Sequence, residues 1–435
     1  MKYDVIIVGG GTAGCAAAYT SAVSGLKTLL IDKNSFLGGS MTGGLVTPAM
    51  KSSDNQINTK FFNLFIDELK TLGGGITYFD GNSGWFNPEL AKIALDRLLL
   101  KAGVEIRFNS YVADIEAKNG LIASIKISNA PLILSNPTDS NNNPNSLRFL
   151  SECIETRYVI DTTASQDICN ALNCDSIDDN GKIQPSSLRF IASGINLQVF
   201  KDFILEFDSD RSATTGGSIN GEIHLSTACT SDKDWALTPI FNEAVEKGIL
   251  KPSDTAYFQI FTIPGMHGSV AFNCPRFVQS DDENTLKTQS TSIIEAREAM
   301  LRLLEFCKIY FPGFDKAYIS NIATMVGHRV SKRALGEYFY TIEDLKSGKK
   351  FDNPVLISNY PIDVHSNKKE NVKLEKVLQE YQLPIEALHS SNYKNLYFAG
   401  RSISADFFAQ AALRIIPSCF SMGEGLAKYI ATLGN

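Results

Sequence analysis

Short apolar runs that close on glycine or an acid alternate with helix-spaced segments at the start of the chain, and that rhythm reads β-α-β. Val5 to Val8 is wholly apolar and ends at Gly9, as a strand buried on both faces would. Ala13 to Ser24 is alanine-rich with helical spacing, and Lys27 to Ile31 reads as a second strand ending at Asp32. Residues 59–72 and 88–102 repeat apolar positions every three or four residues and predict amphipathic helices, the second with Pro88 in its first turn. Val104 to Ile127 alternates like a set of antiparallel strands turning at Asn119-Gly120. Residues 135–146 (SNPTDSNNNPNS) are turn formers and predict an exposed loop between two strands of that small sheet. Tyr158 to Asp161 is a further short strand, expected to rejoin the parallel sheet.

From Ser187 the pattern changes to longer strand-like runs, LRFIASGINL, TAYFQIFTI and SVAFNCPRF, followed by a helix over about 289–309. Residues 395–399 predict a last short strand and 417–433 a final helix. The expected organisation is α/β, with a first segment 1–183, a mixed α+β second domain over 184–390, and a return to the first domain over 391–435.

Charge and cysteine usage narrow the function classes. A net charge of −6 with no Lys/Arg block argues against a nucleic-acid partner, which needs a basic footprint. The cysteines at 15, 153, 169, 174, 229, 274, 307 and 419 are scattered with no C-x-x-C pair, so no metal or iron–sulfur site is expected, and reduced thiols in a cytoplasmic compartment are. Met1-Lys2-Tyr3-Asp4 carries an acid almost at once and only four apolar residues then lie before Gly9, too few for a signal peptide core, and no run of about 20 apolar residues predicts a membrane span.

The chemistry begins at Gly9-Gly10-Gly11-Thr12-Ala13-Gly14, a G-x-G-x-x-G between a predicted strand and helix. Gly9 permits the tight turn, Gly11 lets backbone approach a pyrophosphate, and Gly14 lets helix pack on strand. The helix start at Thr12 and Ala13 supplies amides and dipole to phosphates. Asp32, 18 residues past Gly14, is placed to accept ribose hydroxyls, with Lys33 beside it. These features predict a Rossmann-like dinucleotide site. The pair Gly38-Gly39 after the second strand favours FAD over NAD, because it lets the chain pass beside the pyrophosphate towards a flavin; a plain turn is the alternative.

These motifs, together with FLGGSMTGGLVT, FNPELAKIALDRLLLKAGVEIRFNSYV, RYVIDTTAS, GHRVSKRALGEYFYTIEDL, YPIDVH and NLYFAGRSISADFFAQAALRIIPSCFSMGEGLA, resemble the FAD-dependent oxidoreductases of glutathione-reductase-like fold, related to fumarate reductase and succinate dehydrogenase flavoprotein subunits. The resemblance implies that Ser40, Thr42, Gly43 and Gly44 line the ribityl chain and flavin edge, and that Val112 meets the adenine through its backbone. Thr163 and Ala164 fall where the family has Thr-Gly, and the alanine fits only if its φ is negative. Gly400 and Arg401 match the late Gly-Asp/Gly-Arg turn at the phosphates or ribityl chain. Residues 411–416, including Ala412, Leu413, Arg414 and Ile415, run beside the pyrimidine edge, and the helix near Pro417 aims its dipole at a reduced, anionic flavin. No histidine lies between Met1 and His224, so a non-covalent flavin is expected. No second G-x-G-x-x-G follows a strand, so electrons come from the substrate or from an unidentified donor or acceptor that docks at the flavin.

On the substrate side, Arg329, Ser331 and Arg333 match the family's Arg-Glu-Ser-Arg-Arg motif, with Val330 in place of its Glu. They suit a carboxylate-bearing substrate or a flavin clamp, against a solvated turn pairing with Glu337 and Glu343. Arg414 inside AALRIIP needs a partner, with Asp406 and Gln410 nearby in sequence, and has either a substrate or flavin role or a buried ion pair. His267 and His365 are acid/base candidates against structural or surface roles, and Asp363 has a site role or a turn role. Cys419 at a helix start would favour a thiolate. The expected function is hydride transfer between a small-molecule substrate and FAD. An FAD-binding module without turnover is the alternative, kept open by Ala164 and Val330, and a flavoprotein of RNA modification fits the acidic chain less well.

Overall fold

In a computed structural model, which describes residues 1–129, 150–177, 179, 182–228, 235–277, 286–365 and 373–434, the first sheet is built on β1 (Lys2–Val8). Its buried Val5, Ile6 and Ile7 need cover on both faces, and the chain supplies it by crossing over through α1 (Thr12–Val23) to the parallel β2 (Thr28–Ile31). Helices α2 (Lys60–Thr71) and α3 (Pro88–Lys101) follow, and Asn87 caps α3 by accepting from Glu89 N and Leu90 N, with Pro88 at its start. Strand β3 (Glu105–Arg107) then pairs parallel to β2, so the stretch from Val104 is not antiparallel throughout, as its alternation predicts. A period of two shows that a strand has two different faces; it does not say which neighbour it will pair with.

The antiparallel meander comprises β4 (Tyr111–Lys118), β5 (Leu121–Ser128) and the first part of β6 (Ser151–Asp161), and Asn119 and Gly120 turn between the first two with φ of +54° and +73°. Strand β6 spans 11 residues, and its second half runs parallel to β1, so meander and parallel sheet are one continuous sheet. The loop expected over 135–146 lies outside the described residues.

The second lobe is a six-stranded sheet. Its strands are β7 (Phe190–Ser193), β8 (Thr214–Ile219), β9 (Glu222–Ala228), β10 (Gln259–Thr262), β11 (Val270–Phe272) and β12 (Tyr318–Ile322), ordered β8-β9-β10-β11-β7-β12 with every neighbour antiparallel. Helix α4 (Leu197–Phe207) and the long α5 (Leu286–Tyr310) bury Phe200, Ile204, Met300, Leu303 and Phe306 in its core. The chain then returns: β13 (Leu396–Phe398) adds to β6, and α6 (Phe407–Leu413) leads into α7 (Ile416–Leu433) against α1.

The hydrophobic cores divide the chain differently from the expected 184–390 block. The second-lobe core ends at Ala323, whereas Tyr340, Leu356, Tyr381 and Leu383 are buried in the dinucleotide-lobe core with α1, α2 and α7. In the other direction, Leu45, Tyr78 and Trp85 from the first segment pack into the second-lobe core. Among the described residues no helix is long and apolar enough to cross a membrane.

Candidate active site between the two lobes

The turn after β1 is tight because two glycines leave no side chain in its way. Gly9 adopts φ +105° and donates to Ile31 O at 2.7 Å. A Cβ on Gly14 would sit 1.9 Å from Gly9 O, so only glycine lets α1 start this close to the strand end. No side chain caps α1, and the space beside Gly11 is open. Gly38 N donates to Gly10 O at 2.8 Å, which brings the Gly38-Gly39 turn onto the first loop.

Asp32 is buried and anchors the same corner. One carboxylate oxygen accepts from Gly10 N at 2.6 Å, and the other accepts from Asn34 N and Nδ2 at 2.7 and 2.9 Å. Burial raises its pKa against these hydrogen bonds. Ser110 N donates to Asp32 O at 3.0 Å, so β4 starts beside it, and the ladder skips a residue between Val112 and Asp114. Lys33 is exposed. The Thr42 hydroxyl donates to Leu37 O at 2.5 Å, closing the turn around Ser40, while Gly43 O accepts from Thr324 N at 2.9 Å and ties this loop to the chain leaving the second lobe.

The end of β6 converges on the same loops. Asp161, fully buried, accepts from Thr163 N and Oγ1 and from Ile168 N, and burial pushes its pKa up to about 6 against those bonds. Ala164 is not among the residues of positive φ, so it meets the condition for replacing glycine, and its carbonyl accepts from Ser331 Oγ at 2.5 Å. Arg401, after Gly400, donates to His328 O and to Ser331 Oγ, and Gln410 Nε2 donates to Arg329 O and Arg401 O at 3.1 and 3.3 Å.

Where the lobes meet, four arginines cluster, and Asp363 acts on three of them, Arg276, Arg329 and Arg414. Arg414 Nη2 lies 3.4 Å from Asp363 Oδ2 and donates to Asp363 O at 3.0 Å, so its partner is Asp363; Asp406 instead caps α6. His365 Nε2 lies 3.0 Å from the same carboxylate. Arg329 is buried and donates to Pro185 O at 2.6 Å and Ser187 Oγ at 3.0 Å, and Arg333 pairs with Asp179, so this segment is no solvated turn. Glu337 pairs with His389 instead. Arg189 donates to Leu45 O at 3.2 Å across the lobe boundary. Arg276 stacks on Tyr257, its guanidinium carbon 3.3 Å from the ring centroid. Burial works to raise the Asp363 pKa, but His365, Arg414 and Arg329 hold it well below the usual carboxylate range. Burial pushes His365 down to about 3 despite its bond to Asp363, with Arg329 and Arg276 acting the same way. The pair is therefore an ionised aspartate and a neutral imidazole at neutral pH.

Comparison with known proteins places this architecture. Residues 4–136 and 140–433 match the family described as FAD dependent oxidoreductase. The chain belongs to that family. FAD is thus its cofactor. Similar curated proteins include a thiamine thiazole synthase of Pyrococcus horikoshii, 27% identical over 165 residues, covering 38% of this chain and 58% of that one. Another is a digeranylgeranylglycerophospholipid reductase of Sulfolobus acidocaldarius, 33% identical over 120 residues, covering 24% of this chain. The matches thus span 58% and 25% of those relatives' own lengths. Among solved structures, a geranylgeranyl bacteriochlorophyll reductase-like protein of Thermoplasma acidophilum aligns over 99% of this chain and 78% of its own, with 16% identity and a TM-score of 0.45.

The residues of this FAD dependent oxidoreductase fit its cofactor on their own evidence. The open space at Gly11 lies where α1 offers its first amides, and Ser402 Oγ, Ser418 Oγ and Gln410 Oε1 are buried without a hydrogen-bond partner on the returning segment. The structure brings Arg329, Arg414, Asp363 and His365 together, but not His267. His267 is 77% exposed, 3.7 Å from Glu222, on the loop before β11. Arg276 follows the opposite end of that strand, so the sheet register holds the two apart. Cys419 is a protonated thiol rather than a thiolate: burial pushes it up to about 12 despite Arg401 and Arg414, and it donates to Arg414 O. Arg189, Tyr257 and Arg276 escaped sequence reasoning. The signal for Arg276 was the same as for Arg414, a cation within an apolar run (VAFNCPRF).

Proposed function

We propose that this oxidoreductase passes a hydride between non-covalently held FAD and a small molecule enclosed between the lobes. The observation that supports it is the shared polar cluster. Arg189, Tyr257 and Arg276 come from the second lobe, Asp363, His365 and Arg414 from the first, and Arg329 bridges from the chain between. FAD, when bound, supplies two-electron acceptor chemistry. Gly9, Gly11, Thr12, Ala13 and Gly14 would hold its pyrophosphate, and Asp32, Lys33 and Val112 its adenosine half. Gly38, Gly39, Ser40, Thr42, Gly43, Gly44, Thr163, Ala164, Gly400, Arg401, Ala412, Leu413 and Ile415 would enclose the rest. The start of α7, with no side-chain cap, offers amides to a group that gains negative charge.

Arg414 binds and orients substrate, steadied by Asp363, and Arg329 holds the 185–187 segment in place. His267 has no part in this set. The free thiols of the described cysteines support a reducing, cytoplasm-like compartment. The sequence motifs support kinship with fumarate reductase and succinate dehydrogenase flavoproteins.

The test is a spectrum from 300 to 600 nm, acid precipitation, and anaerobic mixing with a panel of small donors. The expected result is FAD released into the supernatant and a flavin bleached by a donor, at least 100-fold more slowly in Arg414→Ala that retains FAD. A protein that holds FAD and neither accepts electrons from any donor nor, once reduced with dithionite, passes them to any acceptor would be a binding module.

A further inference from the structure

We propose that the arginine cluster between the lobes is an anion pocket, and that the molecule undergoing oxidation or reduction carries a carboxylate taken by Arg276. This rests on the substrate pocket of the proposed function and adds the class of molecule it accepts.

Charge carries the argument first. Arg189, Arg276, Arg329 and Arg414 all lie within electrostatic reach of one another, and the carboxylate that acts on Arg276 and Arg329 is Asp363. That carboxylate is already engaged by His365 and Arg414. One carboxylate leaves the cluster with an excess of positive charge, and an enclosed cation without a full counter-ion is among the costliest groups a fold can keep.

Geometry then singles out Arg276. Its position is set by Pro275, whose carbonyl accepts from Leu188 N, and by pairing with Ser187. The face of the guanidinium rests on Tyr257, which leaves its edge as the donor surface. Nε, Nη1 and Nη2 are all shielded from solvent and none has a hydrogen-bond partner. Such a fork matches the two oxygens of a carboxylate. Tyr257 is itself held, its hydroxyl donating to Gln259 Oε1 at 2.7 Å, which also accepts from Asn273 Nδ2 at 2.7 Å. Gln184 Nε2 and Arg414 Nε are further shielded donors without partners in the same cluster. Burial lowers the Arg276 pKa, and that of Arg189 to about 10, as expected of cations waiting for a counter-ion. The rings of Tyr257, Tyr360 and His365 beside these groups suit a planar molecule.

The test is isothermal titration of the FAD-loaded protein with benzoate, with its neutral counterpart benzamide, and with inorganic phosphate. Benzoate is expected to bind at least tenfold more tightly than either. Arg276→Gln is expected to weaken benzoate at least tenfold while keeping FAD and its visible spectrum, and Arg276→Met, which relieves the enclosed charge, serves as a second variant should Gln fold poorly. Benzamide or phosphate binding as tightly as benzoate would overturn the proposal. So would undiminished benzoate binding by both variants, or loss of FAD from both, which would assign Arg276 to the cofactor. The readout needs no turnover, so failure of the hydride-transfer reading and failure of the anion pocket are separable.

Discussion

Replacing Arg276 with Met should make the protein more stable while impairing its pocket. The wild-type side chain keeps three shielded guanidinium nitrogens without a partner, within electrostatic reach of three other arginines. Withdrawing such a cation from water costs several kcal/mol. Two attractions offset part of this: stacking on Tyr257, about 2 kcal/mol for a desolvated cation–π pair, and the field of Asp363. Met has a similar length, fills the space beside the Tyr257 ring with apolar atoms, and carries no charge to desolvate. Exchanges of buried ion pairs for apolar residues of like volume range from neutral to a gain of about 4 kcal/mol. At roughly 2 °C per kcal/mol for a chain this long, Tm should rise by up to about 8 °C. The assay is thermal unfolding by far-UV circular dichroism, with the same saturating FAD for both proteins so that ligand linkage cancels. A fall in Tm of more than about 2 °C with FAD still bound would mean that the guanidinium is satisfied in the folded protein, and the reasoning would fail.

Two further expectations concern the cofactor loop and the aspartate–histidine pair. In Gly14→Ala the new Cβ meets Gly9 O at 1.9 Å, a backbone atom that cannot step aside, so α1 must move off the strand end. Overpacking of about 1–3 kcal/mol and at least a tenfold loss of FAD affinity should follow, read by flavin fluorescence titration; unchanged affinity and Tm would refute the close-packing argument. His365 binds its proton less tightly when folded, with a pKa of about 3, than in the unfolded chain, where it is about 6.5. Its contribution is therefore complete above pH 6.5 and is lost as pH falls towards 3. Between pH 6.5 and 5 the wild type should lose about 1.5–2 kcal/mol more than His365→Asn in denaturant unfolding, and parallel pH profiles would show that His365 is not held neutral.

The opening β-α-β unit, the Gly9–Gly14 turn, Asp32 at the end of β2 and the Gly38-Gly39 pair were all readable from the chain itself. Each depends on neighbours within some forty residues, and backbone sterics together with hydrophobic periodicity act at that range. The same local logic marked Arg414 as a charge that needed a partner. It could not name the partner: Asp406 is eight residues away but caps α6, and Asp363, 51 residues away, makes the ion pair. Strand β3 alternates like its antiparallel neighbours yet runs parallel to β2, because sheet order is decided by which edge the chain returns to. His267 and Arg276 lie nine residues apart on either side of one strand, and only the register of the second-lobe sheet puts one on the surface and the other at the lobe boundary. The cofactor motifs of this protein were thus legible in its sequence, whereas the arginine cluster came into being only when two lobes closed on each other, since long-range packing alone brings Arg276, Arg329 and Arg414 to Asp363.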